Sequence, residues 1–179
     1  KAAYPLPQTT GETLTPQCVL EVLHKATHGD AIVTTDVGQH QMWTAQYYSV
    51  NKPRHFITSG GLGTMGFGLG AAIGAQVANP AATVINITGD GCFHMNLNEL
   101  STAAKEELPV IDVVMNNNVL GMVRQWQRLF YDKRFSQTTL DKKTDYDMVS
   151  RGLGADAYTV TTRTELTEAI RTALSRRNV

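Results

Sequence analysis

The sequence lacks the features that mark several classes of protein. It has only two cysteines, Cys18 and Cys92, in 179 residues, which is too few for a disulfide framework and lacks the paired spacing of a zinc site. Its 16 basic and 16 acidic side chains cancel, which argues against nucleic-acid binding and against a polybasic membrane surface. No apolar run approaches the roughly 20 residues of a membrane span. These absences predict a soluble protein in an intracellular, reducing compartment.

The two ends of the sequence carry few signs of a complete polypeptide. The chain begins at Lys1 without a methionine, shows no signal-peptide pattern and stops at Val179 without a turn or a cap. The first thirteen residues contain Pro5 and Pro7 and no apolar period, which is typical of an inter-domain linker. We therefore expect a piece of a longer polypeptide, with a linker at 1–13 and one domain at 14–179.

Short β-rich runs alternate along the chain with segments long enough for helices. Thr15 followed by Pro16 predicts the start of a first helix. Strands are predicted at Ala31–Thr35, His55–Thr58, Thr83–Ile87, Val110–Val114 and Ala157–Val160, and two of the helices at Asn98–Leu108 and Met122–Tyr131. This alternation predicts a doubly wound α/β domain with a largely parallel sheet and helices on both faces.

A glycine-rich loop is the first candidate site, because ligands in such folds bind where strands end and helices begin. The loop Gly60–Gly66 contains the pattern G-x-G-x-x-G after a predicted strand. That pattern is typical of a nicotinamide dinucleotide site, with Asp90 as the acid that would bind the ribose. The alternative is that the loop and helix glycines only allow close packing; these are Gly66, Gly68, Gly70 and Gly74.

Two further strand ends suggest a different ligand. Asp90 lies between Gly89 and Gly91 at one strand end, and 27 residues later the next strand ends in the triplet Asn116–Asn118. Backbone N–H groups at such a turn suit a diphosphate, and carboxylate and amide oxygens suit Mg²⁺. In isolation the three asparagines could simply form a turn, but the pairing of the two strand ends favours a magnesium and diphosphate site.

Four sets of residues stand out by their order and spacing. They are Gly38–Trp43, Phe56–Gly66, Gly89–Cys92 with Asn116–Asn117, and Gly121–Gln127. With Gly89–Gly91 followed at this interval by Asn116–Asn117, the sequence resembles thiamine-diphosphate-dependent enzymes. More narrowly, all four sets together resemble the large catalytic subunits of acetohydroxyacid synthases (acetolactate synthases). The resemblance runs from about Leu14 onward and covers only the C-terminal, diphosphate-binding domain of those enzymes.

The resemblance implies roles for individual residues. Magnesium would be bound by the side chains of Asp90 and Asn117 and by the backbone carbonyl of Val119. The diphosphate would be contacted by Gln39, His40, Gly91 and Cys92. Gly63 and Met65 would meet the aminopyrimidine through backbone groups, with the Met65 side chain as the wedge that bends the cofactor. Gly38, Gly89 and Met122 would also bind the cofactor.

The resemblance also implies how the substrate is held. Met122 and Trp126 would shape the substrate pocket, and the segment Arg128–Lys143 resembles a mobile lid. Each of these features has a structural alternative. Met65 could be core filler, Trp126 could be a buried anchor of an amphipathic helix with Met122, Leu129 and Phe130, and the lid could be a solvated loop.

The activity implied is the condensation of pyruvate with pyruvate or 2-oxobutyrate, with loss of CO₂, to acetolactate or acetohydroxybutyrate. This reaction belongs to branched-chain amino-acid biosynthesis in the bacterial cytoplasm. The full enzyme would also bind FAD, form a homodimer or homotetramer and take a small regulatory subunit, without nucleic-acid or membrane partners. No catalytic residue is expected in this chain, because the essential glutamate would lie in an N-terminal domain of a neighbouring subunit. Pyruvate oxidase, glyoxylate carboligase and a nicotinamide-binding domain remain as alternatives.

Overall fold

A four-stranded parallel sheet forms the centre of the molecule in the computed structural model, which describes residues 9–140 and 143–176. The strands are β1 (Ile32–Thr35), β2 (Phe56–Thr58), β3 (Val84–Gly89) and β4 (Val110–Met115), in the order β2-β1-β3-β4. The central strands β1 and β3 are buried along their whole length, as expected for strands covered on both faces. The predicted α/β class and parallel sheet are confirmed.

Helices cover both faces of this sheet. They are α1 (Pro16–Thr27), α2 (Gln39–Tyr47), α3 (Phe67–Ala78), α4 (Asp90–Asn96), α5 (Glu99–Lys105), α6 (Gly121–Phe130), α7 (Tyr146–Gly152) and α8 (Arg163–Arg176). On one face, Val33 and Ile85 of the sheet pack with leucines of α1 and with Leu166 and Ile170 of α8. On the other face, alanines of α3 pack against the sheet, and Leu69 of α3 packs with residues of α4 and α5.

The first helix begins where the sequence predicts. Pro16 is its first residue, and the Thr15 hydroxyl accepts a hydrogen bond of 3.1 Å from the Cys18 N–H. The described end of the predicted linker lies against α8: Thr13 forms an antiparallel bridge with Thr162, and the Arg163 guanidinium donates to the Thr9 carbonyl at 2.9 Å. Residues 1–8 lie outside the described residues.

The fifth predicted strand, Ala157–Val160, is wrong: this segment forms no strand, so β4 is the edge of the described sheet. A groove of about 660 Å³ lies between the segment and β4. Two arginines hold the segment beside the helices instead. Arg176 donates to the Tyr158 hydroxyl at 3.2 Å, and Arg151 donates to the Ala157 carbonyl.

The order of the strands defines where a ligand would bind. The chain runs outward from β1 through α2 to β2, then crosses back through α3 to β3 and continues to β4. The direction therefore reverses between β1 and β3, and open α/β sheets bind ligands in the crevice at such a point. Two helix N-termini, those of α2 and α4, follow the two strands at this crevice.

No helix within residues 9–140 and 143–176 is both long enough and apolar enough to span a membrane.

Candidate functional site

A small cavity of about 80 Å³ lies at the carboxyl ends of β1, β3 and β4. Most of the predicted site residues line it, although they come from four separate stretches of sequence. They are Gly38, Gln39, His40, Met65, Gly89, Asp90, Gly91, Cys92, Asn117, Val119 and Met122. Two predicted site residues, Gly63 and Trp126, are not part of this lining. The cavity has the volume of roughly two or three water molecules, so it would enclose a metal ion or a phosphate group but not a whole cofactor.

The imidazole of His40 lies between two glycines at the crevice. A Cβ atom at Gly38 would lie 2.7 Å from Cε1 of His40, and one at Gly89 would lie 2.9 Å from its Nδ1. These two positions therefore need glycine, because any side chain would displace the ring. Burial lowers the pKa of His40 to about 4, against the opposing effect of Asp36, so the ring is neutral near pH 7. Its Nε2 atom is buried and has no hydrogen-bond partner among the described residues.

Asp90 joins the ends of two neighbouring strands. Gly89 of β3 is paired with Met115 of β4, so the residues that follow each strand lie side by side. One carboxylate oxygen of Asp90 accepts a hydrogen bond of 2.6 Å from the Asn118 N–H, and the other accepts one of 3.1 Å from the Gly91 N–H. Burial raises the pKa of Asp90, whereas these backbone hydrogen bonds lower it.

The loop after β4 presents two more oxygen atoms at the same place. The amide oxygen of Asn117 accepts from the Val119 N–H at 3.1 Å, and both residues line the cavity. Val119 forms an antiparallel bridge with Thr139, which brings the end of the predicted lid segment to the site. Residues 141–142 of that segment lie outside the described residues.

Two leucines for which the sequence predicted no role lie over the Gly91 turn. A Cβ atom at Gly91 would lie 2.7 Å from Cδ2 of Leu120 and 3.4 Å from Cδ1 of Leu140. Backbone hydrogen bonds fix both leucines, because the Leu120 N–H donates to Thr138 and the Leu140 N–H donates to Asn118. Trp43 also lines the cavity. Its position one helical turn after Gln39 and His40 was a sequence signal for it.

Cys92 adds a neutral side chain to this wall. Its thiol donates to the Val37 carbonyl at 3.1 Å, and burial raises its pKa to about 11. The thiol is therefore protonated at neutral pH and brings no negative charge toward a diphosphate.

The glycine-rich loop contributes less to the cavity than its pattern suggests. Gly60 and Gly61 are exposed with almost open space around them, whereas Gly66 has a positive φ of 85° and begins α3. Met65 is half-buried and lines the cavity. The alternative that these glycines only allow close packing holds for Gly68, where a Cβ atom would lie 2.3 Å from the Asn86 amide oxygen. It does not hold for Gly70 and Gly74, which face open space.

Helix α6 lies at the rim of the cavity with an exposed apolar stripe. Met122 reaches the cavity, whereas the Trp126 side chain is 58% exposed and stacks edge-to-face on Phe130 at 5.5 Å. Leu129 is exposed as well, and α6 contains no buried residue. The interpretation of Trp126 as a buried anchor is therefore wrong, because Trp126, Leu129 and Phe130 of the stripe are exposed in the described part of this chain.

The donor atoms at the site fit magnesium better than a softer metal. One carboxylate (Asp90), one amide oxygen (Asn117) and the backbone at Val119 converge on the cavity. Across the part of the chain that the structure describes, no group of three His, Cys, Asp or Glu side chains could hold a metal ion. A site with a single acid is typical of Mg²⁺, which retains waters and takes phosphate oxygens as further ligands.

Comparison with known proteins identifies the family. Residues 36–179 match the family model described as "Thiamine pyrophosphate enzyme, C-terminal TPP binding domain". The chain belongs to this family. Thiamine pyrophosphate is another name for thiamine diphosphate, so the match decides against the nicotinamide alternative.

Individual relatives are similar over most of the chain. It is 47% identical over 165 residues to acetolactate synthase isozyme 2 large subunit from Escherichia coli, covering 92% of this chain and 30% of that protein. It is 52% identical over 146 residues to the isozyme 3 large subunit of the same organism, covering 82% of this chain and 25% of that protein. It is 47% identical over 182 residues to the chloroplastic acetolactate synthase of Arabidopsis thaliana, covering 97% of this chain and 27% of that protein. The chain thus spans between a quarter and a third of the length of these relatives.

Proposed function

We propose that this chain is the C-terminal cofactor domain of an acetolactate synthase catalytic subunit, with the domain at 14–179 and an inter-domain linker at 1–13. The observation that carries the proposal is the cavity that brings together eleven of the predicted site residues, from four separate stretches of a chain that belongs to the thiamine pyrophosphate enzyme family. Relatives named acetolactate synthase, with 44–52% identity, support the specific activity.

In this proposal the chain binds the magnesium and diphosphate end of the cofactor. Asp90, Asn117 and the Val119 carbonyl would hold Mg²⁺. The diphosphate would meet Gln39, His40, and the backbone at Gly91 and Cys92. The neutral thiol of Cys92 supports this assignment, because it brings no negative charge toward an anion.

Other residues of the chain would orient the rings and exclude water. Thiamine diphosphate, when bound, supplies the chemistry by which pyruvate loses CO₂ and joins a second 2-keto acid, pyruvate or 2-oxobutyrate. Met65, half-buried beside Gly91, would support the bent cofactor together with Gly63. Leu120 would shield the Gly91 turn from water, and Met122 and Trp126 on α6 would border the acceptor pocket.

The rest of the enzyme would supply what this chain lacks. The proposal includes an FAD-binding domain, an N-terminal domain that carries the essential glutamate, and a homodimer or homotetramer in the bacterial cytoplasm. A small regulatory subunit is part of it as well, because several relatives are named large subunits. On this view the isolated chain is inactive.

The test is Asp90→Ala in the full-length enzyme, with Asp30→Ala as the matched control, because Asp30 is an exposed acid paired with Lys52. Thiamine diphosphate binding is titrated calorimetrically with Mg²⁺, and the products from pyruvate, with and without 2-oxobutyrate or glyoxylate, are analysed. We expect Asp90→Ala to lose cofactor binding with an unchanged circular dichroism spectrum. The control should form acetolactate from pyruvate alone and acetohydroxybutyrate when 2-oxobutyrate is added. Undiminished cofactor affinity in Asp90→Ala would contradict the metal site, and a product other than acetolactate from pyruvate alone in the control would favour a sister enzyme.

A further inference from the structure

A buried carboxylate behind the cavity has no role in the proposed cofactor contacts. Asp36 follows β1 directly, is 2% exposed and does not line the cavity. Its Oδ1 accepts a hydrogen bond of 3.1 Å from the Gly68 N–H, and its Oδ2 accepts one of 2.8 Å from the Thr88 hydroxyl. Its own N–H donates to the Ile87 carbonyl at 3.1 Å. One side chain therefore joins three segments that are distant in sequence.

Each of these segments leads into a different part of the cavity. Asp36 itself precedes the turn that carries Gly38, Gln39 and His40. Gly68 is the second residue of α3, directly after the loop that carries Met65. Thr88 precedes Gly89, Asp90 and Gly91. A shift at any one of these hydrogen bonds would move the adjoining loop relative to the other two.

We propose that Asp36 is a positioning residue for the cofactor, which keeps the three loops in the register that brings His40, Met65 and Asp90 to one cavity. The inference rests on the proposed function, because it concerns the affinity of that same site.

Both carboxyl oxygens of Asp36 accept hydrogen bonds. The Gly68 N–H can only donate, and the Thr88 hydroxyl donates to the other oxygen at 2.8 Å, with the Gly89 carbonyl as a longer alternative at 3.2 Å. An asparagine in place of Asp36 would turn an NH₂ group either toward the Gly68 N–H or toward the Thr88 hydroxyl, which would then give up its own bond to residue 36. Such a mismatch in a buried site costs more than a lost surface hydrogen bond. The fit is also tight, since a Cβ atom at Gly68 would lie 2.9 Å from Oδ2 of Asp36.

The experiment uses the full-length enzyme and compares Asp36→Asn with Asp112→Asn. Asp112 is the matched control, because its carboxyl lies on β4, accepts from Asn86 at 2.7 Å and belongs to none of the three loops. The dissociation constant of thiamine diphosphate is measured with saturating Mg²⁺, together with the KM for the cofactor and kcat at saturating cofactor. The loss of a buried hydrogen bond sets the scale, so we expect Asp36→Asn to weaken binding about tenfold or more and Asp112→Asn by less than about threefold.

Thr88 provides a second pair of variants, which serves if Asp36→Asn does not fold. Thr88→Ser keeps the hydroxyl and should bind the cofactor normally, whereas Thr88→Val should bind it more weakly. If Asp36 acts through Thr88, the double variant Asp36→Asn with Thr88→Val should bind little more weakly than Asp36→Asn alone.

Three results would overturn the inference: cofactor affinity in Asp36→Asn within about threefold of the native value, equal losses in Asp36→Asn and Asp112→Asn, or equal affinities in Thr88→Ser and Thr88→Val. Failure of the native enzyme to bind thiamine diphosphate would instead refute the proposed function, so the two failures are distinguishable.

Discussion

Two glycines of helix α3 should respond in opposite directions to the same substitution. Gly68 lies at the start of the helix against the sheet, whereas Gly70 is exposed, and a Cβ atom added there would meet nothing within 4 Å. Replacing Gly70 with alanine adds helix propensity and no clash, so we expect a gain of about 0.5–1 kcal/mol in the free energy of unfolding. Gly74 has the same open surroundings and should behave like Gly70.

The Gly68→Ala variant meets a rigid neighbour. Its Cβ would lie 2.3 Å from Oδ1 of Asn86, and Asn86 cannot swing away freely. Its oxygen accepts from the Thr34 hydroxyl at 2.9 Å, while its amide donates to Asp112 at 2.7 Å. Overpacking costs about 1–3 kcal/mol and a broken buried hydrogen bond a further 1–3 kcal/mol. Allowing for the gain in propensity, we expect a net loss of about 1–5 kcal/mol.

Urea unfolding of the 179-residue chain, followed by far-UV circular dichroism, measures both variants. With a slope of about 2 kcal/mol per molar urea, Gly70→Ala should raise the midpoint by about 0.3–0.5 M, and Gly68→Ala should lower it by about 0.5–2.5 M. Equal midpoints for the two variants, with unchanged slopes, would refute the claim that Gly68 alone of the pair is required for packing against the sheet.

Three further predictions concern titration, specificity and the isolated chain. Burial lowers the pKa of His40 to about 4 from its usual 6.5, so the native state binds this proton only at a lower pH than the unfolded chain does. The free energy of unfolding should therefore fall as the pH drops from about 6.5 to 4, and His40→Gln should remove this part of the pH dependence. Burial raises the pKa of Asp112 to about 7, so its contribution to the free energy of unfolding falls as the pH rises from about 4 to 7. In urea unfolding, Asp112→Asn should therefore stabilise the chain more at pH 8 than at pH 5. Trp126→Leu in the full-length enzyme should lower the preference for 2-oxobutyrate over pyruvate by about five- to a hundredfold in competition assays, and an unchanged product ratio would remove Trp126 from the acceptor pocket. The isolated chain should fold but form no acetolactate, and calorimetry should show only weak thiamine diphosphate binding; turnover by the chain alone would show that the missing part of the site is misplaced.

Much of the fold could be predicted because buried parallel strands carry a strong signal. The predicted strands at Ala31–Thr35 and Val110–Val114 agree with β1 and β4 to within one residue at either end, since their apolar runs are bounded by turn residues. The error at Ala157–Val160 has a physical cause. Alternation of apolar and polar residues predicts an extended backbone, but it does not specify which partner the segment pairs with. Here Arg151 and Arg176 hold the segment against helices.

Burial was less predictable than secondary structure. The stripe of Trp126, Leu129 and Phe130 has the 3.6-residue period of a buried helix face, yet all three side chains are exposed in this chain. Periodicity specifies that a face is apolar, and the surface that would cover that face need not belong to the same chain. The same reasoning explains Gly70 and Gly74, whose composition suggested close packing although both face solvent.

The residues that line the cavity could be predicted, whereas those that position them could not, and the reason is chemical. Residues for ligand contact form strings such as Gly89–Asp90–Gly91, because a phosphate or a metal ion requires particular atoms at a particular spacing. Asp36 and Thr88 act from behind the cavity through single hydrogen bonds to other loops. Their partners lie 32 and 52 residues away in the sequence, and Asp, Thr and Gly at strand ends are ordinary turn residues. The neighbouring sequence does not distinguish a carboxylate that joins three loops from one that simply follows a strand. The positioning role of Asp36 can therefore be recognised only in the folded structure, where β1 lies beside β3 and α3 packs across both strands.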